Sequence, residues 1–482
     1  MRGGETGRIA TWAAVGAAAF HLSYAVPAAA PVVLLHPWAL LHLGRGATPR
    51  GAFYGGLAAG LLVVAPHLWF FLALFGPAGA SLWLVVAFWT GLFTLLASQA
   101  IARLRPVAAA VLVPFLWTGL EYFRSELYPL RFTWVTPGFA FPPGSPAPAL
   151  LGVYGIGFVA AATGASLAFL PWRRGLAIGT AAATALSLLC LLGAADTGTG
   201  PGRVLRVAGL QLEGVDEASI PHRLDLLLAS HPGADLIVLP EYAFTGEPTA
   251  AVRSWCRRHR RHLVAGGRAI GEGKEWSNTA FVVGPDGEIA FRQAKCVPIQ
   301  FFEDGLPAAG QEVWASPFGA VGICICYDLG YSRVVDRLVA AGAEVLVVPT
   351  LDAEPWGRRQ HELHARVAPA RAAECGVPIV RVASSGISQV VDARGRVLAT
   401  APFAGRGAAV SGEARLRGAG RVPWDRVLAT VAVAAAAAWV LRLLEGVVRS
   451  LRGTSSSGPT SSAGGPPRPT PRGPPLPPPA AA

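Results

Sequence analysis

Charge is the first thing this chain of 482 residues is short of: only 15% of its positions are Asp, Glu, Lys or Arg, against roughly 25% in soluble domains. A fold wholly in water is thereby excluded, and with 52% hydrophobic positions part of the chain is expected in lipid. Lysine is nearly missing. Arginine supplies almost all of the positive charge and only Lys274 and Lys295 depart from that habit, so each lysine needs a reason. Lys274, inside the Gly-rich GEGKEW turn, is expected to face solvent. Six cysteines occur, at 190, 256, 296, 324, 326 and 375, without C-x-x-C pairs or the density of a disulfide scaffold, which leaves free thiols. Acidic and basic residues are also scarce inside the apolar runs, which argues against an ion-conducting transporter. The net charge of +12 does not point to nucleic acid, because the basic residues gather at the ends of apolar runs with no aromatic-interleaved basic face.

What is present is a set of seven apolar stretches in residues 1–195, at about 9–25, 27–43, 52–75, 79–101, 106–122, 149–170 and 175–194. Several reach the roughly 20 residues a bilayer-spanning helix requires. Arg2 and Arg8, Arg45 and Arg50, Arg103 and Arg105, and Arg173 with Arg174 all fall on one side if seven spans are counted, and the positive-inside rule makes that side the cytoplasm. Residues 203–415 then change character, alternating β-type runs such as VLRVAGLQL, DLIVLPEY and EVLVVPT with amphipathic stretches at 330–341 and 358–375. That pattern describes an extracytoplasmic α/β domain large enough for its own core. A final apolar stretch at 423–444 returns through the membrane, with Arg442, Arg449 and Arg452 at its inside end, and 453–482 reads as a disordered Pro/Ser/Gly-rich tail.

Three residues of the α/β domain sit where strands end, the usual place for reactive groups in such folds. Glu241 follows LIVLP, Lys295 closes IAFRQAK and Cys326 closes the run before Tyr327 and Asp328. A cysteine nucleophile needs a base for its proton and a positive group for the oxyanion that forms on an attacked carbonyl, and Glu and Lys supply both. Cys324, two residues earlier on the same run, reads as a buried small apolar residue. The pair His361 and His364 in HELH does not match H-E-x-x-H and has no evident third ligand, so no metal is expected.

LPEY, AKCVPIQFFE and CYD, in this order and at these separations, resemble the three motifs of the nitrilase superfamily. The resemblance implies an α-β-β-α sandwich with Glu241 as general base, Lys295 stabilising the tetrahedral intermediate, Cys326 as nucleophile, and the backbone N–H of Tyr327 completing the oxyanion hole. Glu303, eight residues after Lys295, matches a further glutamate that assists the triad. A sandwich placed between seven spans and one more resembles a narrower group, the apolipoprotein N-acyltransferases, as do the stretch WTGLEYFRSELYPLRFTW and the segment SNTAFVVGPDGE. That likeness implies transfer of a fatty acyl group from a phospholipid, through a cysteine thioester, to the N-terminal amine of a diacylglyceryl apolipoprotein at a bacterial inner membrane, with no cofactor. Trp356 and the apolar loop containing Phe301 and Phe302 are then expected against the lipid substrate. Departures are Asp328 where the family has glutamate, LDAEPW for an Asn-Asp-Ala-Trp-type loop, and Ser384-Ser385-Gly386 for an Asn-Asn-Gly turn. The first two favour one alternative, a membrane-tethered amidase using the same triad; a second, a non-catalytic membrane binding protein, is argued against by the complete triad.

Overall fold

The computed structural model describes residues 3–191, 202–271 and 275–455. The expectations for Arg2, for the end of the seventh run, for Lys274 and for nearly all of the tail lie outside the described residues. Two compact units are present, Met1–Ala436 and Ala437–Ala482. The first holds the apolar helices up to residue 191 together with both sheets.

Helices stand in all of the apolar stretches: Gly3–Ala25, the turn Pro27–Leu34 running into Leu35–Gly44, Pro49–His67, Gly79–Arg103, Pro106–Tyr122, Val153–Phe169, Trp172–Leu191 and Asp425–Ser455. Among the described residues, five helical segments are long and apolar enough to cross a membrane: Pro27–Gly44, Phe71–Arg103, Pro106–Leu127, Trp172–Leu191 and Asp425–Ser450. Val153–Phe169 is apolar but shorter. The run expected at 52–75 is divided, because Pro66 lies in the last turn of a helix that stops at His67, and Phe71–Phe75 forms a separate short helix. Thr48 starts the longer piece by accepting a hydrogen bond from the Gly51 N–H, with Pro49 first in the helix. Small residues let neighbouring helices approach: a Cβ at Gly91 would stand 2.9 Å from the Phe53 carbonyl oxygen, the backbone closeness that apolar helix pairs in lipid favour.

Among the described residues, twelve strands make two six-stranded sheets. One is built from β1 (Arg203–Leu210), β2 (Leu236–Val238), β3 (His262–Ile270), β4 (Trp276–Val283) and β5 (Ile289–Ala294), with β12 (Ala409–Leu416) beside β1. The other runs β11 (Val397–Ala401), β10 (Ser388–Val391), β9 (Ile379–Ala383), β8 (Val345–Thr350), β7 (Gly319–Ile323) and β6 (Val313–Ser316). Val207, Val238, Val264 and Val282 of the first sheet share one buried cluster with Val321, Ile323, Val348, Val380 and Val390 of the second, so the sheets face each other. The outer face of the first sheet is covered by helices Ile220–Ser230 and Ala250–His259 through Leu224, Leu227, Val252 and Trp255. Helices Ser332–Ala340 and Val367–Cys375 pack on the second sheet. The layers therefore read helix, sheet, sheet, helix, as expected for the nitrilase-like half.

Candidate active site

Glu241, Lys295 and Cys326 follow three different strands, and the fold brings them to one place. β2 is parallel to both β1 and β3, and the chain leaving it turns at Tyr242, whose φ of 56° is left-handed, after delivering Glu241. Lys295 follows β5, and its N–H donates to the Asn278 carbonyl at 2.8 Å, which continues the β4–β5 ladder by one residue. Cys326 has φ of 52°, a conformation costly for a side chain other than glycine and found where a tight turn exposes a reactive group. It opens a short 3-10 helix, Cys326–Gly330, whose first N–H groups have no partner inside the helix. The N–H of Tyr327 is among them.

Lys295 is fully buried and its Nζ lies 2.8 Å from Glu241 Oε1 and 2.7 Å from Asp304 Oδ2. Asn278 Nδ2 bridges the same two carboxylates at 2.6 Å and 2.7 Å. Tyr242 donates its hydroxyl to Asp304 at 2.7 Å, and the Leu351 N–H donates to Glu241 Oε2 at 2.7 Å. Burial alone would push the Lys295 ammonium down, but Glu241, with Cys326 and Asp304, holds it well above the usual lysine value. Asp304 answers in kind: burial would raise its carboxyl, and the Lys295 charge keeps it low. The Lys295–Asp304 pair thus stays charged although buried. Cys326 is pushed well above the ordinary thiol value by burial and by the Glu241 charge, with Lys295 opposing, so at rest it is a thiol. Its Sγ lies 3.5 Å from the Leu351 carbonyl.

Glu303 is corrected by this geometry. It is exposed, while its neighbour Asp304 is buried and occupies the position beside Lys295. The loop from 296 to 304 folds back with Phe301 at φ 69°, and the Ile299 N–H donates to Asp304 Oδ2 at 2.9 Å, which turns Asp304 inward. Asp328 is a latch. Its carboxylate accepts from the N–H groups of Cys296, Val297 and Ile325 at 2.7–3.2 Å, fastening the Cys326 turn to the segment after Lys295. Burial raises its pKa to about 6, with those N–H groups resisting the shift.

A cavity opens on Cys326, the concave kind of surface that small-molecule sites use. The loop after β7, with Cys326 and Tyr327, forms part of its lining. Another part comes from Phe71, Leu74 and Phe75 of the apolar helices, and the loop of Phe132 and Trp134 contributes a third. Trp356, Phe301 and Phe302 also line it: Phe75 lies 6.1 Å and 5.5 Å from the rings of Phe301 and Phe302, and Phe302 lies 6.3 Å from Trp356. Phe301 is 68% exposed at the rim. The Tyr327 hydroxyl donates to the Arg131 carbonyl at 3.1 Å, tying the Cys326 turn to the stretch at 117–134.

Several site residues were not singled out from sequence: Asn278, Asp304, Tyr242, Trp134 and Asp352. Asp352 accepts from Gln360 Nε2 at 2.9 Å, meets His364 Nδ1 at 2.8 Å and receives the Arg381 guanidinium. His361 and His364 are thus turned toward one aspartate, with Nδ1 of His361 3.8 Å from it. Cys324 is buried and all six cysteines are free.

Two family models match the chain, the apolipoprotein N-acyltransferase N-terminal domain over residues 12–166 and carbon-nitrogen hydrolase over residues 206–411. A curated apolipoprotein N-acyltransferase of Geobacter metallireducens is 27% identical, with 86% of this chain and 91% of that protein covered. One of Azotobacter vinelandii is 28% identical, over 77% of this chain and 83% of its own length. A deaminated glutathione amidase of Synechocystis is 28% identical over 36% of this chain and 78% of its own. Among solved structures, a carbon-nitrogen hydrolase of Helicobacter pylori matches at 20% identity and a TM-score of 0.39, covering 44% of this chain and 89% of that one.

Proposed function

We propose that this chain, which belongs to the apolipoprotein N-acyltransferase family, draws a fatty acyl group from a phospholipid and carries it as a thioester on Cys326 to the N-terminal amine of a diacylglyceryl apolipoprotein. Glu241 takes the Cys326 proton as sulfur adds to the donor's ester carbonyl. Lys295 and the Tyr327 N–H stabilise the oxyanion. Collapse expels the lysophospholipid alkoxide, which receives the proton from Glu241, and leaves the acyl thioester. The acceptor amine then attacks, Glu241 removes a proton from its nitrogen, and the departing thiolate is reprotonated.

The observation that carries the reading is the cavity at Cys326, lined by residues of the nucleophile loop and by residues of apolar, membrane-type helices. A water-soluble amide gives no reason for such a lining, whereas an acyl chain dissolved in a bilayer does. The arginine bias of the loops supports a cytoplasmic-membrane protein with its sandwich on the outer face. Incubating the full-length enzyme with phospholipid vesicles and no acceptor should yield a fatty-acyl mass on the Cys326 peptide. Absence of that mass, or its persistence in Cys326→Ala, would overturn the mechanism.

A further inference from the structure

We propose that Arg131, with Arg333 beside it, binds the phosphate of the acyl donor's headgroup, so that the donor is recognised by its anion as well as by its alkyl chains; this deepens the transferase reading and rests on it. A glycerophospholipid carries its phosphodiester on the same glycerol as the ester that Cys326 attacks. A lining of Phe, Leu and Val side chains offers that charge nothing, and an anion taken out of water unpaired is costly. A cation is therefore needed where the cavity meets the Cys326 turn.

Arg131 stands there. It lines the cavity together with Cys326 and Tyr327, and its carbonyl accepts from the hydroxyls of Tyr327 at 3.1 Å and Tyr331 at 3.4 Å. Tyr327 lies in the short helix that Cys326 opens, and Tyr331 follows that helix directly, so the anchor is tied to the segment that carries the thiol. The Arg131 guanidinium lies over the Tyr331 ring, 5.5 Å from its centroid, and the Arg333 guanidinium lies 5.4 Å from the same centroid. Two cations share one ring.

Among the described residues neither arginine is paired with a carboxylate. Arg333 donates one N–H to the Glu126 carbonyl at 2.7 Å, and Nε of Arg131 is buried without a partner. The carboxylate that also faces Tyr331 is that of Glu126; its Oε1 accepts from the Tyr154 hydroxyl and from the N–H and hydroxyl of Ser332 at 2.7–2.9 Å, and it pairs with neither arginine. Lys295 is held between Glu241 and Asp304. Like charges gathered without a counter-ion repel, and a buried donor without an acceptor is rare in a folded protein. An anion brought by the substrate removes both costs. The guanidinium fork suits this one, since its parallel N–H groups match two oxygens of a phosphate, and the aromatic ring holds the fork flat.

The test uses the full-length enzyme in neutral detergent micelles, with mass spectrometry reading acyl-Cys326. Two donors carry the same acyl chains: phosphatidylglycerol, and diacylglycerol, which keeps the ester and lacks the phosphate. Arg131→Leu should lower the phospholipid-to-diacylglycerol ratio of acylation rates about 10–100-fold, the range for hydrogen bonds to a charged group. Arg131→Lys, which keeps the charge without the fork, should fall between. A merely structural role slows both donors alike, so an unchanged ratio overturns the proposal. If Arg131→Leu does not fold, the unaltered enzyme decides through competition by lipids that have no ester. An ether-linked phospholipid should inhibit acylation by phosphatidylglycerol at least about tenfold more strongly than an ether-linked diacylglycerol. Equal inhibition overturns the proposal, and so does inorganic phosphate inhibiting as strongly as the ether phospholipid, which would assign the arginines to a free anion. Absence of acyl-Cys326 from either donor in the unaltered enzyme would instead sink the transferase reading itself.

Discussion

The sandwich side of the active site and its membrane-helix side are built in opposite ways. Around Lys295, charged and amide groups meet at 2.6–2.8 Å in directions that hydrogen bonds fix. Across the cavity, Phe71, Phe132 and Trp134 touch through rings whose centres are 5.3 Å apart, contacts with area but little directionality. The first kind of wall holds a reacting carbonyl to a fraction of an ångström. The second tolerates alkyl chains of different lengths, because apolar burial is nearly indifferent to direction. Chemistry is therefore assigned to one wall and choice of substrate to the other.

That division can be broken in order of expected effect. Cys326→Ala should lower transfer on the order of 10⁶-fold, as loss of a nucleophile does, measured as acylated peptide per hour. Glu374 joins the two halves of the first unit: it accepts from the Val153 N–H at 2.6 Å and pairs with Arg371 at 2.7 Å and Arg426 at 3.2 Å. Glu374→Gln should cost about 3 kcal/mol of stability at neutral pH, the scale for breaking a buried pair, read from thermal unfolding in detergent. Burial would raise the Glu374 carboxyl, yet Arg426 and Arg371 bring it down to about 2. Its stabilisation is thus complete above the unfolded glutamate value of about 4.3 and is lost as pH falls toward 2, and the variant should lack that acid-side loss.

Asp304→Asn should reduce kcat about 100-fold with KM little changed, because it loosens the group that stabilises the oxyanion. Phe75→Ala should do the reverse, raising the KM for long-chain donors about tenfold and sparing kcat. A kcat defect in Phe75→Ala as large as that of Asp304→Asn would erase the distinction between the walls. Glu303→Gln, at an exposed position, should change either constant less than about twofold.

Legibility from sequence followed the same division between local and non-local information. Continuous apolar runs announced the helices, and the triad announced itself because each member closes a strand. What failed depended on register and loop path. Asn278 is opposite the strand end that delivers Lys295 only because Thr279 pairs with Ala294, and no spacing in the chain encodes that pairing. Glu303 was preferred to Asp304 by counting from Lys295, yet the left-handed Phe301 reverses which carboxylate points inward. HELH lacks the spacing of a metal motif, and its partner Asp352 reaches His364 across an intervening turn, Glu354–Trp356. Strands β6, β10, β11 and β12 were also missed, being short or flanked by glycine and mixed in polarity. Asp328, read as an amidase-like departure, turns out to fasten backbone to backbone, a duty indifferent to which acceptor resolves the acyl-enzyme.

An acyl thioester reacts with any unprotonated amine it can touch, and this one forms beside Lys295. Held between Glu241 and Asp304, that lysine keeps its proton and so cannot become an acceptor of its own enzyme's cargo. The second carboxylate is therefore as much a safeguard against self-acylation as an aid to the reaction, and an arginine-rich chain with so few lysines leaves few other amines to shield.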